Sequence, residues 1–374
     1  MDYDVIVIGA GIGGAAAAYY LGEAGCKVLV LERERLPRYK PCGGGVPRSV
    51  FRYFPFPLDQ MIETRVARIR YSYQGQEEVT IPLPGEPVAM VMRDKLDALV
   101  LKQARCAVRE ATPVTEVVEG EDGVVVSTRD GQEFRGRYLI GADGANSTTA
   151  RKLGLRRGKL MGAALEAEVP LAPIALADWA QTALFEFGAL KGGYLWIFPK
   201  REHLSVGIGA FRKSKAKLKN ILRQEMAKFG LSLDGVTLHG HPLPIYIRSE
   251  RLNTARSLLI GDAARLMDPL SGEGIRYAVK SARLAAEAIV QGELDKYTAW
   301  VQREIGANLS RARWVAALFY GLPRLCFRLG VRNPRVTRLL AAMLNDRATY
   351  FDLSRHILPY LIKSLGRRTA DGQD

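Results

Sequence analysis

The first apolar run of the chain, Val5-Ile6-Val7-Ile8, is β-branched throughout and contains no polar position. That pattern predicts a strand buried on both faces rather than a half-exposed one. Ala15 to Leu21 predicts a helix that stops near Gly25, and Val28-Leu29-Val30-Leu31 a second buried strand. Leu139-Ile140 and Leu258-Leu259-Ile260 are further short apolar runs. Residues 63–87 alternate polar and apolar positions, residues 161–244 read as a larger sheet, and Lys213–Phe229 reads as a basic helix within it. Tyr194, Trp196 and Phe198 alternate along one predicted strand, so all three side chains project from one face. Residues 301–374 read as helical, with apolar patches at Trp314–Phe319, Leu339–Leu344 and Leu358–Leu365 flanked by Arg or Lys, and a break at Pro323. No stretch of about 18 uninterrupted apolar residues occurs, so no spanning helix is expected. No basic segment precedes Val5, so no signal peptide is expected either.

Composition adds scale. The chain has 374 residues, 48% hydrophobic and 25% charged, which excludes wholesale disorder and low-complexity scaffolds. It is long enough for two or three co-operating lobes. Cys26, Cys42, Cys106 and Cys326 are scattered without a C-x-x-C pair, so neither a disulfide framework nor a thiolate zinc site is expected, and a reducing, cytoplasmic setting is. The net charge is +15, and residues 301–374, with 13 Lys/Arg against 5 Asp/Glu, hold more than half of it. Nucleic acid and an anionic membrane surface both attract such a segment.

The chemistry begins directly after the first strand. Gly9-Ala10-Gly11-Ile12-Gly13-Gly14 supplies G-x-G-x-x-G, and Glu32 ends the second strand 18 residues after Gly14. Gly9 permits the tight turn, Gly11 lets backbone approach a pyrophosphate, and Gly14 lets helix and strand pack closely. The helix start offers free N–H groups and a positive dipole end to phosphates. Glu32 can accept hydrogen bonds from ribose hydroxyls, which argues against a 2′-phosphate there. The site suits FAD or NAD(H).

Two later motifs decide between them. Leu139-Ile140-Gly141-Ala142-Asp143-Gly144 and Leu258-Leu259-Ile260-Gly261-Asp262-Ala263-Ala264 are apolar strands ending in Gly and Asp, and the second leads to Asp268-Pro269 and Gly272-Glu273-Gly274-Ile275. Each Asp alone could simply cap a turn. In this order after a dinucleotide fingerprint, the motifs resemble the FAD-dependent hydroxylase superfamily with the p-hydroxybenzoate hydroxylase fold, over residues 1–300. Arg93, within Val91-Met92-Arg93-Asp94-Lys95-Leu96-Asp97, resembles that family's arginine at the start of a helix beside the flavin. The resemblance implies an α/β fold: a Rossmann-like FAD-binding domain (1–62, 88–160 and 245–300) interleaved with an antiparallel-sheet substrate domain (63–87 and 161–244). Residues 301–374 would add a C-terminal helical region. It implies FAD contacts at Gly9, Gly11, Gly13, Gly14, Glu32 and Arg33. Further contacts would come from Cys42, Gly43, Gly45, Arg93 and Val114, and from Asp143, Gly261, Asp262, Gly274 and Ile275.

Pro41-Cys42-Gly43-Gly44 and Gly193-Tyr194-Leu195-Trp196-Ile197-Phe198-Pro199 narrow the resemblance to the geranylgeranyl reductase family. That implies FAD-dependent saturation of isolated double bonds in a C20 isoprenoid chain. An electron-rich alkene resists direct hydride attack, so protonation first and hydride transfer second is the expected route. The cation formed needs an aromatic, water-poor cavity, where each ring face contributes about 0.5–2 kcal/mol. Tyr194, Trp196 and Phe198 can line one, or pack as ordinary core. Cys42 can donate a proton, hold one face of the alkene, or only pack. The substrate would be geranylgeranyl diphosphate, a pigment ester or a glycerophospholipid.

Gly207-Ile208-Gly209 is not followed by a third glycine, position 212 being Arg, so NADPH would bind without a Rossmann domain of its own. A small iron–sulfur protein suits the sequence equally as electron donor. His239 and His241 lie two apart on an expected strand, too few for a metal centre, and none is expected. For the basic tail, contact with a membrane surface at its cytoplasmic face ranks first, a helical cap over the cavity second, and nucleic acid a distant third. A monooxygenase or halogenase of the same fold is the alternative activity. Halogenases carry Trp-x-Trp-x-Ile-Pro, from which Tyr194 and Phe198 depart.

Overall fold

The computed structural model describes residues 1–83, 88–155, 162–211 and 216–356; the predicted patch Leu358–Leu365 lies outside them. Tyr3–Ile8 sits in the middle of a parallel array. The order is Cys106–Arg109, Val28–Leu31, Tyr3–Ile8 and Glu133–Gly141, with Ser257–Leu259 beside the C-terminal half of the last. Val124–Thr128 and Val114–Glu119 extend it antiparallel from the N-terminal half of Glu133–Gly141. The unbroken apolar run of the first strand has a direct cause. Val5 and Val7 face the helices Ile12–Glu23, Arg93–Lys102 and Ile275–Gln291, while Ile6 and Ile8 pack with Leu29, Leu31, Val117 and Val126 on the opposite face.

The second sheet runs His239–Leu243, Gly162–Pro170, His203–Ala210, Gly193–Pro199, Thr182–Phe187, Arg68–Tyr73 and Glu77–Pro82. It is antiparallel except where Thr182–Phe187 lies parallel to Arg68–Tyr73. Those two strands come from distant parts of the chain and no hairpin joins them, so their direction is not constrained to alternate. A three-stranded antiparallel sheet, Gly45–Pro47, Val88–Val91 and Ile62–Val66, links the two lobes. The boundary expected at 62/63 falls inside its last strand. The basic helix is Leu218–Lys228, and its Leu222 and Met226 pack under the second sheet against Leu195, Ile197 and Val206.

The described part of the tail is helical: Ala307–Gly321, Pro323–Cys326 and Pro334–Leu344. Proline stands at the first position of the last two, where its missing N–H costs nothing. Ala316, Tyr320, Phe327 and Val331 complete the apolar cluster on the other face of the second sheet. Polar ties fasten this cap. Arg276 reaches Glu273 at 2.9 Å, Asp346 at 2.6 Å and the Met343 carbonyl at 2.9 Å. The Tyr350 hydroxyl donates to Asp268 at 3.0 Å, and Arg324, Arg328 and Arg332 converge on Glu77 at the edge hairpin. Among the described residues no single helix is long and apolar enough to cross a membrane.

Candidate active site: a dinucleotide cradle opening into an aromatic cavity

The cradle is built locally. The first strand delivers Gly9, whose φ of +101° turns the chain sharply into the helix Ile12–Glu23. A methyl at Gly14 would overlap the Gly9 carbonyl oxygen, so only glycine allows this approach of helix to turn. The helix has no side-chain cap, which leaves its first N–H groups free for an anion. Glu32 is buried at the end of the second strand and accepts from Ala10 N at 2.8 Å and Glu34 N at 3.1 Å. Its carboxylate keeps lone pairs for hydroxyl donors, and Arg38 stands 3.5 Å away as counter-charge. These features fit the adenosine and pyrophosphate of FAD.

A cavity of about 560 Å³ leads away from the cradle. Its wall takes in Gly11, Gly13, Cys42, Gly43, Gly45 and Arg93, and on the far side Gly261, Asp262, Gly274 and Ile275. A second helix, Ile275–Gln291, begins here without a side-chain cap and aims its positive end inward, which favours negative charge on a bound ring. Arg93 opens its own helix with two 2.9 Å bonds to Asp97. Burial alone would lower its pKa, but Asp97 and the Cys42 side chain outweigh that and raise it. Cys42 Sγ accepts from Gly44 N at 3.4 Å. Gly43 lies so close to Phe198 and Trp196 that a side chain there would collide with both rings.

Beyond the cradle the wall turns aromatic. Tyr194, Trp196 and Phe198 all face the cavity, while Leu195 and Ile197 between them face the opposite core. Phe185 stands 5.3 Å from Tyr194 and 5.2 Å from Phe198, and Phe211 stands 5.2 Å from Tyr194. The alternatives of cavity wall and core packing thus coincide: Phe185 meets Tyr194 and Phe198 edge-on, Trp196 and Phe198 are tilted against each other, and the same residues line the cavity. Farther out the wall is Leu318, Phe319, Leu329, Val336, Leu340 and Met343, so the described tail closes the cavity as a cap.

Six predicted residues lie off this wall, two of them, Gly9 and Gly14, forming the turn of the cradle. Arg33 is exposed beside Glu34, and Val114 packs against the sheet. Glu32 belongs to the cradle. Asp143 is consumed locally: it accepts from Ser147 Oγ at 2.6 Å, Thr148 N at 2.8 Å and Thr149 N at 3.0 Å. The capping reading therefore accounts for its side chain. Asp262, in contrast, faces the cavity with Lys40 at 3.7 Å.

Sequence reasoning missed a polar cluster at and just behind the same wall. Glu166 is buried; Tyr39 Oη donates to it, and so does Ser205 Oγ at 3.0 Å. Burial pushes its carboxyl up to about 7 against the pull of those two donors. Lys200, also buried, gives hydrogen bonds of 2.8 Å to the carbonyls of Gly43 and Val91. Burial brings its ammonium down to about 8, opposed by Cys42 and Glu166. His239 and His241 also line the wall. Burial and then the nearby Lys40 lower His241 to about 4. Among the described residues no group of three His, Cys, Asp or Glu could hold a metal ion. The one available signal for Glu166 was an acid inside an otherwise apolar run, Gly162-Ala163-Ala164-Leu165-Glu166-Ala167.

Residues 2–292 match the family model described as FAD binding domain. The chain is 32% identical to digeranylgeranylglycerophospholipid reductase 2 of Methanothermobacter thermautotrophicus, over 86% of this chain and 89% of that one. It belongs to the geranylgeranyl reductase family of FAD-binding oxidoreductases. This family member is also 33% identical to a menaquinone reductase of Mycolicibacterium smegmatis, over 91% of this chain and 89% of the relative. A geranylgeranyl bacteriochlorophyll reductase-like protein from Thermoplasma acidophilum shares its fold, with a TM-score of 0.77 at 21% identity and 98% of each chain covered. FAD is therefore its cofactor, and the cradle above is where the residues fit it.

Proposed function

We propose that this oxidoreductase saturates isolated carbon–carbon double bonds in a geranylgeranyl or similar isoprenoid chain. The observation that carries the reading is the continuity of one cavity. It starts at the flavin cradle, passes an aromatic wall and ends between apolar cap helices. A branched hydrocarbon chain fits such a wall, because its burial is favourable by about 0.8 kcal/mol per CH₂ and no polar partner is needed. The relatives' names point the same way, since geranylgeranyl lipids and menaquinone carry isoprenoid chains in common.

Reduced FAD, when bound, supplies hydride. The protein's own residues then have three tasks. Tyr194, Trp196 and Phe198 exclude water and present ring faces to a developing tertiary cation. Gly43 and Gly44 would let backbone approach the bound cofactor, and Lys200 braces that turn through the Gly43 and Val91 carbonyls. The cap holds the chain in register. NADPH or a small iron–sulfur protein would reduce the flavin. A cytoplasmic, membrane-facing setting is part of the reading: Trp314, Leu322 and Phe351 are exposed on the cap, with the guanidinium groups of Arg311 and Arg355 over the Phe351 ring.

The test is anaerobic incubation of chemically reduced, FAD-loaded protein with geranylgeranyl diphosphate or a geranylgeranyl glycerolipid, followed by mass spectrometry. A gain of two hydrogens per bond with either substrate supports the reading. No gain, together with oxygen-dependent flavin turnover, replaces it with the monooxygenase or halogenase alternative. Flotation with anionic liposomes that recovers no protein removes the membrane contact.

A further inference from the structure

Resting on that reading, we infer that Glu166 is the acid that protonates the alkene, and that Tyr39 recharges it from solvent. Glu166 forms part of the cavity wall, and its two carboxyl oxygens receive different partners. Oε1 is held by Ser205, whose hydroxyl in turn accepts from Trp196 Nε1 at 3.4 Å; this couples the acid to the aromatic wall. Oε2 accepts from Tyr39 Oη, and Tyr39 is 38% exposed. One hydrogen bond therefore joins a buried carboxyl on the cavity wall to a side chain that is partly open to solvent.

Two other acids at the wall are engaged elsewhere: Asp268 accepts from Leu270 N, Ser271 N and the Tyr350 hydroxyl, and Glu273 pairs with Arg276. Lys200 spends hydrogen bonds on two backbone carbonyls and forms no part of the cavity lining. Cys42 lies on the wall, but its Sγ is occupied in accepting from Gly44 N, and among the described residues no chain of hydrogen bonds leads from it to an exposed residue. His241 is held neutral by burial and Lys40. Glu166 also faces Glu168 on its own strand, Lys200 in the turn before Ser205, His239 across the neighbouring strand, and the loop bearing Tyr39. The Tyr39 ring rests 4.4 Å from the His239 ring, which fixes its direction.

The step balances. The Glu166 O–H bond breaks as a C–H bond forms at one alkene carbon. The cation left on the other carbon takes hydride from reduced flavin. The carboxylate then regains a proton from Tyr39 as the Tyr39 hydroxyl takes one from water. Activity should be full while Glu166 is protonated and fall as pH rises through about 7.

The experiment is single turnover of the chemically reduced holoenzyme with geranylgeranyl diphosphate across pH, for wild type, Glu166→Gln, Glu166→Asp and Tyr39→Phe. FAD absorbance of each variant serves as the folding control. The wild-type rate should fall above pH 7. Glu166→Gln should be slower by about 100-fold or more and lose that pH limb, and Glu166→Asp should recover part of the rate. Tyr39→Phe should retain chemistry but reload slowly over repeated turnovers. A readout independent of turnover is the infrared band of a protonated carboxyl, present in wild type, titrating near pH 7 and missing in Glu166→Gln. An active wild type with Glu166→Gln unchanged in rate and pH profile overturns the inference alone. An inactive wild type overturns the proposed function and this inference with it. If Glu166→Gln fails to bind FAD, a wild-type carboxyl band that does not titrate near neutrality overturns the assignment.

Discussion

The cradle and the cavity are built in opposite ways. The cradle centres on one contiguous strand–turn–helix–strand unit, residues 3–32, whose tightest approach, Gly14 to the Gly9 carbonyl, is local. The Ala142 backbone arrives against Gly9 from the neighbouring strand's end. The cavity is assembled from the 39–47 loop, the 162–211 strands, the 261–275 turn and the cap, which are separated by more than a hundred residues in places. The cradle's geometry is fixed by backbone sterics within the sheet it belongs to, so it should tolerate changes in the cap. The cavity depends on long-range ties such as Arg276 with Asp346 and Tyr350 with Asp268. A protein built this way can keep its cofactor while losing its substrate, and the two functions should separate under mutation.

The sharpest attempt to break that separation is Gly14→Val. Its side chain would overlap the Gly9 backbone carbonyl, at a cost above the roughly 3 kcal/mol of ordinary overpacking. The purified variant should show no flavin absorbance, and normal FAD content would end the steric account. Arg276→Ala tests the other side. It leaves Glu273 without its buried partner, a loss of about 3 kcal/mol. Residues 300–356 should become protease-sensitive and KM for the lipid should rise, with FAD content unchanged. Loss of FAD together with the cap would show that the two regions are one unit.

The pH dependence of stability gives a smaller effect. Glu166 has a folded pKa raised from 4.5 to about 7, so it contributes stability below its unfolded value that disappears as pH rises through about 7. Glu166→Gln should therefore gain on wild type by about 2–3 kcal/mol between pH 4.5 and 8, read as a difference in denaturant midpoint at each pH. A constant difference would place the carboxyl in a wetter site than the structure gives it. The least effect is expected from Glu77→Gln, which removes the acceptor of three arginines at the cap's edge. These side chains reach solvent, so a slight fall in Tm should vanish in high salt.

Legibility followed the same division. Val5–Ile8, the glycines and Glu32 declared a dinucleotide turn because their spacing encodes local contacts. The alternation of Tyr194, Trp196 and Phe198 gave a shared face, since strand geometry alone sets it. Asp143 and Asp262 looked alike in sequence, each an acid after a strand and a glycine. Yet one is absorbed in capping the helix Thr148–Lys152, and the other faces the cavity beside Lys40. Nothing within a few residues distinguishes them, because the difference lies in which chain segment arrives opposite.

The sequence by itself determined the nucleotide fold, the FAD-type cradle and an aromatic strand face, all of which follow from backbone sterics and side-chain periodicity. Only the tertiary structure decided that the described tail closes the cavity, that Lys200 braces the Gly43 turn, and that Glu166 meets Tyr39 across 127 residues. Charged groups far apart in sequence acquire their chemistry from burial and from the partners that folding brings to them, and neither is written in their spacing.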